Sequence, residues 1–211
     1  MLEPLLVLVR HGDVERGGDV LWGRSPGVAL TAHGRRAIEA LTPALRGLRV
    51  SRLVTSPCQR AVESAALVSD ALGLPVAADA GFDEFDYGDW SGRPFTALAR
   101  DSRWRAFNEG REDRTAAPGG ESVLDFQTRI RHSLDRQLQH ATGRTCIVTH
   151  AEVVRVIVLD ALGRPPAAWA EVTIPTASLT LLRGPSRARR IVAVGIGARD
   201  VAALADTLTL R

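Results

Sequence analysis

A five-residue apolar run near the start of the chain ends abruptly in polar residues. The run from Leu5 to Val9 contains only leucine and valine, which is typical of a strand buried on both faces of a sheet. Arg10, His11 and Gly12 follow at once. In open α/β sheets, ligands bind in the crevice beyond the carboxyl ends of the strands. We therefore predict an anion pocket there, with His11 as its nucleophile or base and Gly12 providing a sharp turn.

The size and composition of the chain predict a single globular domain over residues 1–211. The chain is long enough to bury a core, and its hydrophobic fraction of 45% and charged fraction of 24% are ordinary for a globular protein. Its apolar runs fall far short of the roughly 18 residues that suggest a membrane span. Residues 1–9 lack the charged start and the long apolar core of a signal peptide. We expect a cytoplasmic protein with no membrane partner.

The charge pattern argues against a nucleic-acid partner. The chain contains no lysine, so all 27 basic residues are arginine, and the net charge is only +3. The arginines are scattered among acidic residues, and no basic run is interleaved with aromatic residues. Cys58 and Cys146 lie far apart without metal-ligand spacing, so we interpret them as buried free thiols and expect no metal and no cofactor.

Strands alternate with helices along the chain, which predicts an α/β fold: a three-layer α/β/α sandwich around a mainly parallel sheet. Strands are predicted at 5–9, 52–55, 74–78 and 145–149, with a late hairpin or edge pair near 177–183 and 190–196. Helices are predicted over 31–47, from Ser56-Pro57 to Gly73, and over 94–109, 121–140 and 151–162. Residues 13–30 are interpreted as a long functional loop.

Three of the predicted parallel strands are followed by side chains suited to phosphate. His11 follows the first strand, Arg60 lies in the first turn of the helix after the second, and His150 follows the strand at 145–149. The carboxyl ends of parallel strands meet at one sheet edge, so these side chains and Arg10 can converge. Helix N-termini at residues 57 and 151 would add backbone N–H donors. Two forked guanidinium groups suit a phosphate, which accepts bidentate pairs.

Four segments of the chain resemble motifs of the histidine phosphatase superfamily, the phosphoglycerate mutase-like group. Residues 10–12 (RHG) match its signature triplet, and residues 55–61 (TSPCQRA) are similar to its SSPLxRA segment. Residues 82–92 look like its LxExxxGxWEG segment, which places Glu84 at the acid position, and residues 148–150 match the strand that carries its second histidine. The resemblance covers nearly the whole chain, with the motifs in the family's order and spacing.

The resemblance implies phosphoryl transfer without a metal ion. His11 would attack phosphorus and form a phosphohistidine, with its other ring nitrogen donating to the carbonyl of Gly12 or of a loop neighbour. Glu84 would protonate the leaving alkoxide and then activate water. The expected catalytic residues are His11, Glu84, His150, Arg10 and Arg60. The expected substrate-binding residues are Arg10, Gly23, Arg24, Arg60, His150 and Ala151.

Several assignments stay open at the level of sequence. One of three neighbouring aspartates could replace Glu84 as the acid, namely Asp83, Asp86 or Asp89. Arg24 could reach the phosphate or the rest of the substrate, or it could lie on the surface. Trp104 and Phe107 could shape specificity or pack in the core, whereas Trp90 is expected in the core.

The chain departs from the family pattern at two places. Asp13-Val14 and Gly17 stand where the family often has Glu-Thr and an asparagine that contacts phosphate. Ala151-Glu152 follows the second histidine, where Gly-Gly or Gly-Val is usual. A carboxylate near a phosphate pocket would repel the ligand, so we expect Glu152 to turn toward Arg155 or solvent.

The compact chain favours a hydrolase over a mutase, because the family's mutases carry long insertions and extra basic residues. The expected substrate is a small phosphomonoester, and residues 17–18, 118–122 and 174–179 look most like the α-ribazole-phosphate phosphatases. A mutase-type phosphotransferase and a non-catalytic phosphoester-binding module are the alternatives. A monomer and a homodimer are both compatible with the sequence.

Overall fold

The computed structural model describes residues 5–112, 114–139, 143–184 and 189–200. The strands are β1 (Leu5–Arg10), β2 (Val20–Leu21), β3 (Val50–Thr55), β4 (Val76–Ala78), β5 (Arg93–Pro94), β6 (Arg144–Thr149), β7 (Leu179–Arg183) and β8 (Arg190–Ile196). Six of them form a sheet in the order β4-β3-β6-β1-β7-β8, and β2 pairs with β5 in a separate antiparallel ribbon.

The large sheet is mainly parallel, as predicted. Strands β4, β3, β6 and β1 run in one direction, and β7 runs antiparallel to β1. The predicted late pair is confirmed, since β8 joins β7 as an antiparallel strand at the edge of the sheet.

Helices cover both faces of this sheet. They are α1 (Ala32–Glu39), α2 (Thr42–Gly47), α3 (Gln59–Leu72), α4 (Phe95–Leu98), α5 (Ser102–Glu109), α6 (Val123–Leu138) and α7 (Ala151–Leu162), with 3₁₀ turns at Ala80–Phe82, Gly88–Trp90 and Pro166–Glu171.

The alternation of side chains along β1 divides the interior into two apolar cores. Leu5, Val7 and Val9 belong to the core that includes residues of α1, α2 and α3. Leu6 and Leu8 belong to the other core, which includes residues of α6 and α7. Successive side chains of a strand point to opposite faces, so an uninterrupted apolar run marks a strand covered on both sides. The predicted three-layer α/β/α sandwich is confirmed.

The single helix predicted over residues 31–47 is two helices. Thr31 caps α1 as expected, since its side chain accepts a hydrogen bond from the Gly34 amide, but the helix ends at Glu39. Pro43 lies in the first turn of α2. Proline lacks an N–H, and its ring clashes with the carbonyl group four residues earlier, so α1 cannot continue through it.

Two other predicted helix boundaries were wrong. The helix after β3 begins at Gln59 rather than at Pro57, although the Ser56 hydroxyl accepts a hydrogen bond from the Cys58 amide over 3.2 Å. The helix predicted over 94–109 is broken into α4 and α5, and the Asp101 side chain caps α5 by accepting from the Arg103 amide.

The third predicted strand also differs in extent, since β4 covers only Val76–Ala78. Helices α3 and α7 end where predicted, because Gly73 and Gly163 directly after them both adopt left-handed conformations. Among the described residues, no helix combines the length and the apolar character needed to cross a membrane.

Candidate active site

The two histidines emerge side by side from the carboxyl edge of the sheet. Strands β1 and β6 are parallel neighbours, with Arg10 opposite Thr149. His11 directly follows β1 and His150 directly follows β6. The His11 amide donates to the Thr149 carbonyl over 2.9 Å. Their ring centroids lie 5.2 Å apart with an interplanar angle of 61°. The sheet therefore brings together the two imidazoles that the sequence predicted to converge.

His11 is buried and has one ring nitrogen fixed by the backbone. Its Nδ1 lies 2.7 Å from the Gly12 carbonyl, the partner predicted from the sequence. Burial lowers the pKa of His11 well below its usual value, and the neighbouring cations Arg60 and Arg10 lower it further. A neutral ring that donates from Nδ1 keeps its lone pair on Nε2. Arg60 donates from Nε to this nitrogen over 3.2 Å.

Arg60 reaches the site from the first turn of α3 and is held by a glycine carbonyl. Its Nη2 donates to Gly23 over 2.7 Å. Gly23 has φ +51, and a Cβ atom there would lie 2.8 Å from the Ser91 hydroxyl. Glycine alone accepts this backbone conformation and this close approach without strain. Gly23 therefore contributes to the site through its backbone carbonyl and its lack of a side chain.

Three buried nitrogen atoms at the site have no hydrogen-bond partner among the described residues. They are Arg10 Nε, Arg60 Nη1 and His150 Nδ1. Arg10 is held at its other end, where Nη1 donates to the Ile174 carbonyl. Buried polar groups are nearly always satisfied, and each exception calls for an explanation. Unpaired guanidinium N–H groups beside His11 fit a site for an anion.

His150 is fully buried, and its Nε2 contacts a serine. The Ser56 hydroxyl lies 2.8 Å from Nε2 and donates to Asp83 over 3.0 Å. Because the serine proton is committed to the carboxylate, we assign the His150 proton to Nε2. Burial and the positive charge of Arg60 lower the pKa of His150 well below its usual value. A bound phosphate dianion would favour the protonated ring and make Nδ1 a donor.

Glu84 faces the same site as a buried carboxyl group. Its Oε2 lies 3.7 Å from His150 Nδ1 and 3.9 Å from Arg60 Nη2, and its Oε1 accepts from the Phe85 amide over 2.9 Å. Burial raises the pKa of Glu84 to about 7, although the charge of Arg60 opposes this effect. A carboxyl group with this pKa can give up and take back a proton near neutral pH.

The three aspartates considered as alternative acids do not line the cavity that holds His11 and Glu84. Asp83 accepts hydrogen bonds from Ser56, from Cys58 and from the Glu84 amide. Asp86 accepts from the Gly88 amide over 3.0 Å and faces Arg24 at 3.6 Å, and Asp89 is exposed. The geometry thus favours Glu84.

Arg24 lies outside the cavity lining, in contrast to its predicted role in substrate binding. Its Nε donates to the Glu84 carbonyl and its Nη2 donates to Glu121, over 2.8 and 2.9 Å. Arg129 makes the same two kinds of contact, each at 2.8 Å. Acidic side chains therefore hold the guanidinium group of Arg24, which in turn helps to position the backbone of Glu84. The contribution of Arg129 and Glu121 was missed, because they lie about 40 residues from Glu84 and carry no motif of their own.

The site opens into a cavity of about 470 Å³. Ala151, the first residue of α7, lines this cavity, and α7 has no side-chain N-cap. The first amides of an uncapped helix lack partners within the helix, and they carry partial positive charge. Ala151 therefore lies at the cavity, and its role in binding a substrate stays a prediction. Arg10, His11, Gly23, Arg60 and Glu84 line the same cavity.

Glu152 turns toward Arg155, as predicted, and has a second partner that the sequence did not reveal. Its two oxygens each accept a hydrogen bond at 2.8 Å, one from Arg155 and one from Arg111. The Arg111 guanidinium also stacks on Trp169, 3.7 Å from the ring centroid. The two arginines lower the pKa of Glu152, although burial alone would raise it. The carboxylate is thus neutralised at the cavity wall.

The aromatic residues of the segment after Glu84 pack on one another. Trp90 is buried as predicted, and its ring lies 5.2 Å from Trp104 and 5.3 Å from Phe107 between centroids. Trp104 and Phe107 are absent from the cavity lining. Of the two roles considered for them, the structure supports packing in the core.

One group of side chains has atoms close enough for a metal ion. Within the described part of the chain, Cys58, Asp83 and His150 offer ligand atoms within 4.8 Å of one another. Burial and a hydrogen bond to Asp83 raise the pKa of the Cys58 thiol to about 12. These atoms are already paired with protein groups, since the Cys58 thiol donates to Asp83 and His150 Nε2 contacts the Ser56 hydroxyl. The second thiol, Cys146, is buried and free, as predicted.

Comparisons with known proteins agree with this geometry. The chain is 28% identical over 176 residues to a probable phosphoglycerate mutase GpmB of Yersinia enterocolitica, which covers 82% of this chain and 81% of that protein. A mycobacterial glucosyl-3-phosphoglycerate phosphatase, solved with VO3, has a TM-score of 0.81 and 26% identity, covering 92% and 99% of the two chains.

A putative α-ribazole-5'-P phosphatase of Escherichia coli also has a TM-score of 0.81, at 21% identity, covering 91% of this chain and 96% of that one. This likeness concerns the fold. The family model described as "Histidine phosphatase superfamily (branch 1)" matches residues 6–197. The chain therefore belongs to the histidine phosphatase superfamily.

Proposed function

We propose that this protein is a phosphomonoesterase that works through a phosphohistidine on His11. The observation that carries the proposal is the set of buried, unpaired guanidinium N–H groups of Arg10 and Arg60 close to the unprotonated Nε2 of a neutral His11, which accepts from Arg60 Nε. A phosphoryl group bound there would satisfy these donors and place phosphorus next to the nucleophile. Preorganised positive donors of this kind are the main catalytic resource in phosphoryl transfer.

In the first step, His11 Nε2 forms a bond to phosphorus while the bond from phosphorus to the ester oxygen breaks. Arg60 Nε gives up its contact with Nε2 and donates to a phosphoryl oxygen instead. Arg10 and His150 hold the remaining charge on the transferring group. Glu84 gives its proton to the leaving alkoxide, which departs as the neutral alcohol.

In the second step, water attacks phosphorus and the bond from phosphorus to His11 breaks. Glu84, now a carboxylate, takes a proton from the attacking water, and inorganic phosphate leaves. Its pKa of about 7 suits both roles, because neither protonation state is strongly favoured near neutral pH. Two moderate barriers thus replace the very high barrier of direct hydrolysis.

The same site could also serve a mutase-type phosphotransferase, in which the phosphoryl group returns to an organic acceptor instead of water. A non-catalytic phosphoester-binding module is the remaining alternative. The buried carboxyl group beside the nucleophile argues against it, because simple binding of an anion gains nothing from a nearby acid. We also propose that the reaction needs no metal ion, because arginine and histidine supply the positive charge that phosphoryl transfer requires.

The proposal is tested with p-nitrophenyl phosphate. We expect steady hydrolysis that a chelator does not change and that His11→Ala abolishes. His33→Ala is the matched control, because His33 is exposed on α1 and outside the cavity, and it should retain the parent activity. Equal turnover by His11→Ala and the parent protein would refute the mechanism, and loss of activity with the chelator would refute its independence of metal.

A further inference from the structure

The cavity has far more room than a phosphoryl group needs. Its volume of about 470 Å³ lies in the range of pockets that hold whole small molecules. Arg10, His11 and Arg60 account for the phosphoryl end, as proposed above. The character of the other lining residues therefore indicates what kind of leaving group the pocket accepts.

One wall of this cavity is apolar and is built on the small ribbon. Val20 and Leu21 form β2, Trp22 follows it directly, and Phe95 follows β5. The Trp22 indole donates to the Glu15 carbonyl over 3.0 Å, which fixes the ring. The Phe95 amide donates to the Asp19 carbonyl over 2.8 Å, so its backbone is anchored to the loop before β2.

Phe95 is unusual because it is a large apolar side chain left exposed at this wall. It keeps 36% of its surface accessible, whereas Leu21 and Val20 are buried. Covering such a ring with an apolar ligand removes apolar surface from water, which favours binding. Trp22 is also partly exposed, and it lines this cavity while packing against Val14, Val28 and Leu30. Phe95 and Trp22 are thus two aromatic residues of the cavity lining that are not fully buried.

The charged groups on the rest of the lining do not offer a place for a second anion. Among the described residues that line the cavity, the cations are Arg10, Arg60 and Arg155. Arg155 donates to Glu152 and to the Val172 carbonyl, both over 2.8 Å. Asp13 adds a carboxylate to the lining, whereas the carboxylate of Glu152 is paired with Arg155 and Arg111. A carboxylate or second phosphate on the substrate would therefore lose its hydration without gaining a cation that is not already paired.

We infer that the substrates are phosphate monoesters of uncharged alcohols with a bulky apolar face, which packs against Trp22 and Phe95. This inference rests on the proposed function and narrows its substrate class. It separates this site from one made for a phosphoglycerate, in which the leaving group carries a carboxylate.

The test compares three alkyl esters: ethyl phosphate, 2-phenylethyl phosphate and 3-phosphoglycerate. Ethanol and 2-phenylethanol are primary alcohols, so the comparison varies the apolar group more than the intrinsic difficulty of the chemistry. We expect kcat/KM for 2-phenylethyl phosphate to exceed that for ethyl phosphate by about tenfold or more, in line with discrimination by apolar pockets. We expect 3-phosphoglycerate to be the poorest of the three.

The ratio of the two kcat/KM values is then measured in Phe95→Ala and Trp22→Ala. In both variants the ratio should fall toward one, mainly through a higher KM for the phenylethyl ester. The ratio does not depend on how much of the protein is folded. Leu124→Ala is the matched control, because Leu124 is an exposed apolar residue outside the cavity, and it should keep the parent ratio.

The outcomes distinguish failure of this inference from failure of the proposed function. Hydrolysis of both alkyl esters with equal kcat/KM, or a ratio unchanged in both aromatic variants, would overturn the inference and leave the phosphatase mechanism intact. A higher kcat/KM for 3-phosphoglycerate than for 2-phenylethyl phosphate would likewise overturn the inference and leave the phosphatase mechanism intact. No hydrolysis of any phosphomonoester would overturn the proposed function, and the inference with it.

Discussion

At the residue scale, the proposed chemistry depends on how Glu84 is kept protonated. The side chain is buried near His150 and Arg60, and burial raises its pKa to about 7 against the opposing charge of Arg60. The negative charge of Glu152 raises the pKa further. A residue that departs from the family pattern therefore raises the pKa of the proposed general acid through its charge. This gives the Ala151-Glu152 sequence a physical role.

The acid role of Glu84 predicts an alkaline fall in activity. With an alkyl ester such as 2-phenylethyl phosphate, the leaving group needs a proton, so kcat/KM should decrease as pH rises above about 7, where free Glu84 ionises. Glu84→Gln should lower kcat by about 10²- to 10⁴-fold, the usual contribution of a general acid. The residual activity of this variant should show no fall in that pH range. The measurement is the pH profile of kcat/KM between pH 5 and about 9.

A second variant, Glu152→Gln, tests whether the charge of Glu152 raises the pKa of Glu84. Removing its charge should lower the pKa of Glu84, because that charge raises it in the parent protein. The alkaline fall should therefore move to lower pH. A profile of Glu84→Gln with the same fall as the parent protein would transfer the acid role to another group. An unchanged profile in Glu152→Gln would show that the two carboxyl groups are not coupled.

The partners of Glu152 show what the sequence could reveal at this scale. The contact with Arg155 follows from a spacing of three residues on one helix, which places the two side chains on the same face. The contact with Arg111 joins residues 41 positions apart. No periodicity or motif connects these two positions, so their contact could not be predicted from the sequence. Arg129, which donates to the Glu84 carbonyl, and Glu121, which accepts from Arg129 and Arg24, were missed for the same reason.

At the element scale, the loop that follows β1 and carries His11, the proposed nucleophile, is held by a close contact between two backbones; it is called the nucleophile loop below. The loop after β1 packs against α1, where the Thr31 amide donates to the Asp13 carbonyl over 3.0 Å. A Cβ atom on Gly34 would lie 2.3 Å from the Asp13 carbonyl oxygen, and one on Gly12 would lie 2.5 Å from the Gly34 oxygen. Separations this short leave no room for a Cβ atom, so the two backbones can approach this closely only because both residues are glycine. Helix α1 therefore fixes the position of His11 through its backbone.

Gly34→Ala should consequently destabilise the protein even though alanine is the better helix former. The clash should lower the free energy of unfolding by about 1–3 kcal/mol, more than offsetting the roughly 1 kcal/mol that alanine gains within a helix. It should also lower kcat/KM, because the loop that carries His11 must move. Urea unfolding of the parent and the variant measures the first effect.

Gly18→Ala is the matched control for the unfolding measurement. A Cβ atom on Gly18 meets no other atom within 4 Å, so this variant should unfold like the parent protein. If Gly34→Ala and Gly18→Ala had the same stability, the close packing of α1 on the nucleophile loop would be excluded as a determinant of the site.

The helix boundaries show which local signals the tertiary structure overrides. Ser56-Pro57 is a strong helix start in sequence, and Ser56 accepts from the Cys58 amide while it also contacts His150 and Asp83, yet α3 begins only at Gln59. Thr31 was predicted correctly as the cap of α1, and its side chain likewise contacts a carboxylate, that of Asp13. The capping side chains were thus identifiable from the sequence, whereas the first helical residue was less so.

At the scale of the whole molecule, the order of strands explains why the site could be predicted at all. The apolar runs of β1 and β6 identify strands buried between two helical layers, and parallel pairing then forces His11 and His150 to the same edge. The outer strands and the aromatic segment after Glu84 carry weaker patterns. Their placement depends on packing between distant residues, such as Trp90 on Trp104 and Phe107.

The central claim is that the phosphoryl group passes through a covalent bond to His11, and Glu84→Gln offers the most direct way to observe it. With p-nitrophenyl phosphate the leaving group departs without help from an acid, so this variant should still be phosphorylated. It cannot activate water well, so the phosphorylated form should accumulate. Rapid quenching followed by mass spectrometry of the peptides measures where the phosphoryl group resides. We predict a burst of nitrophenolate close to one per chain and a phosphoryl group on His11, whereas a burst without a covalent phosphoenzyme, or a phosphoryl group on another residue, would contradict the account.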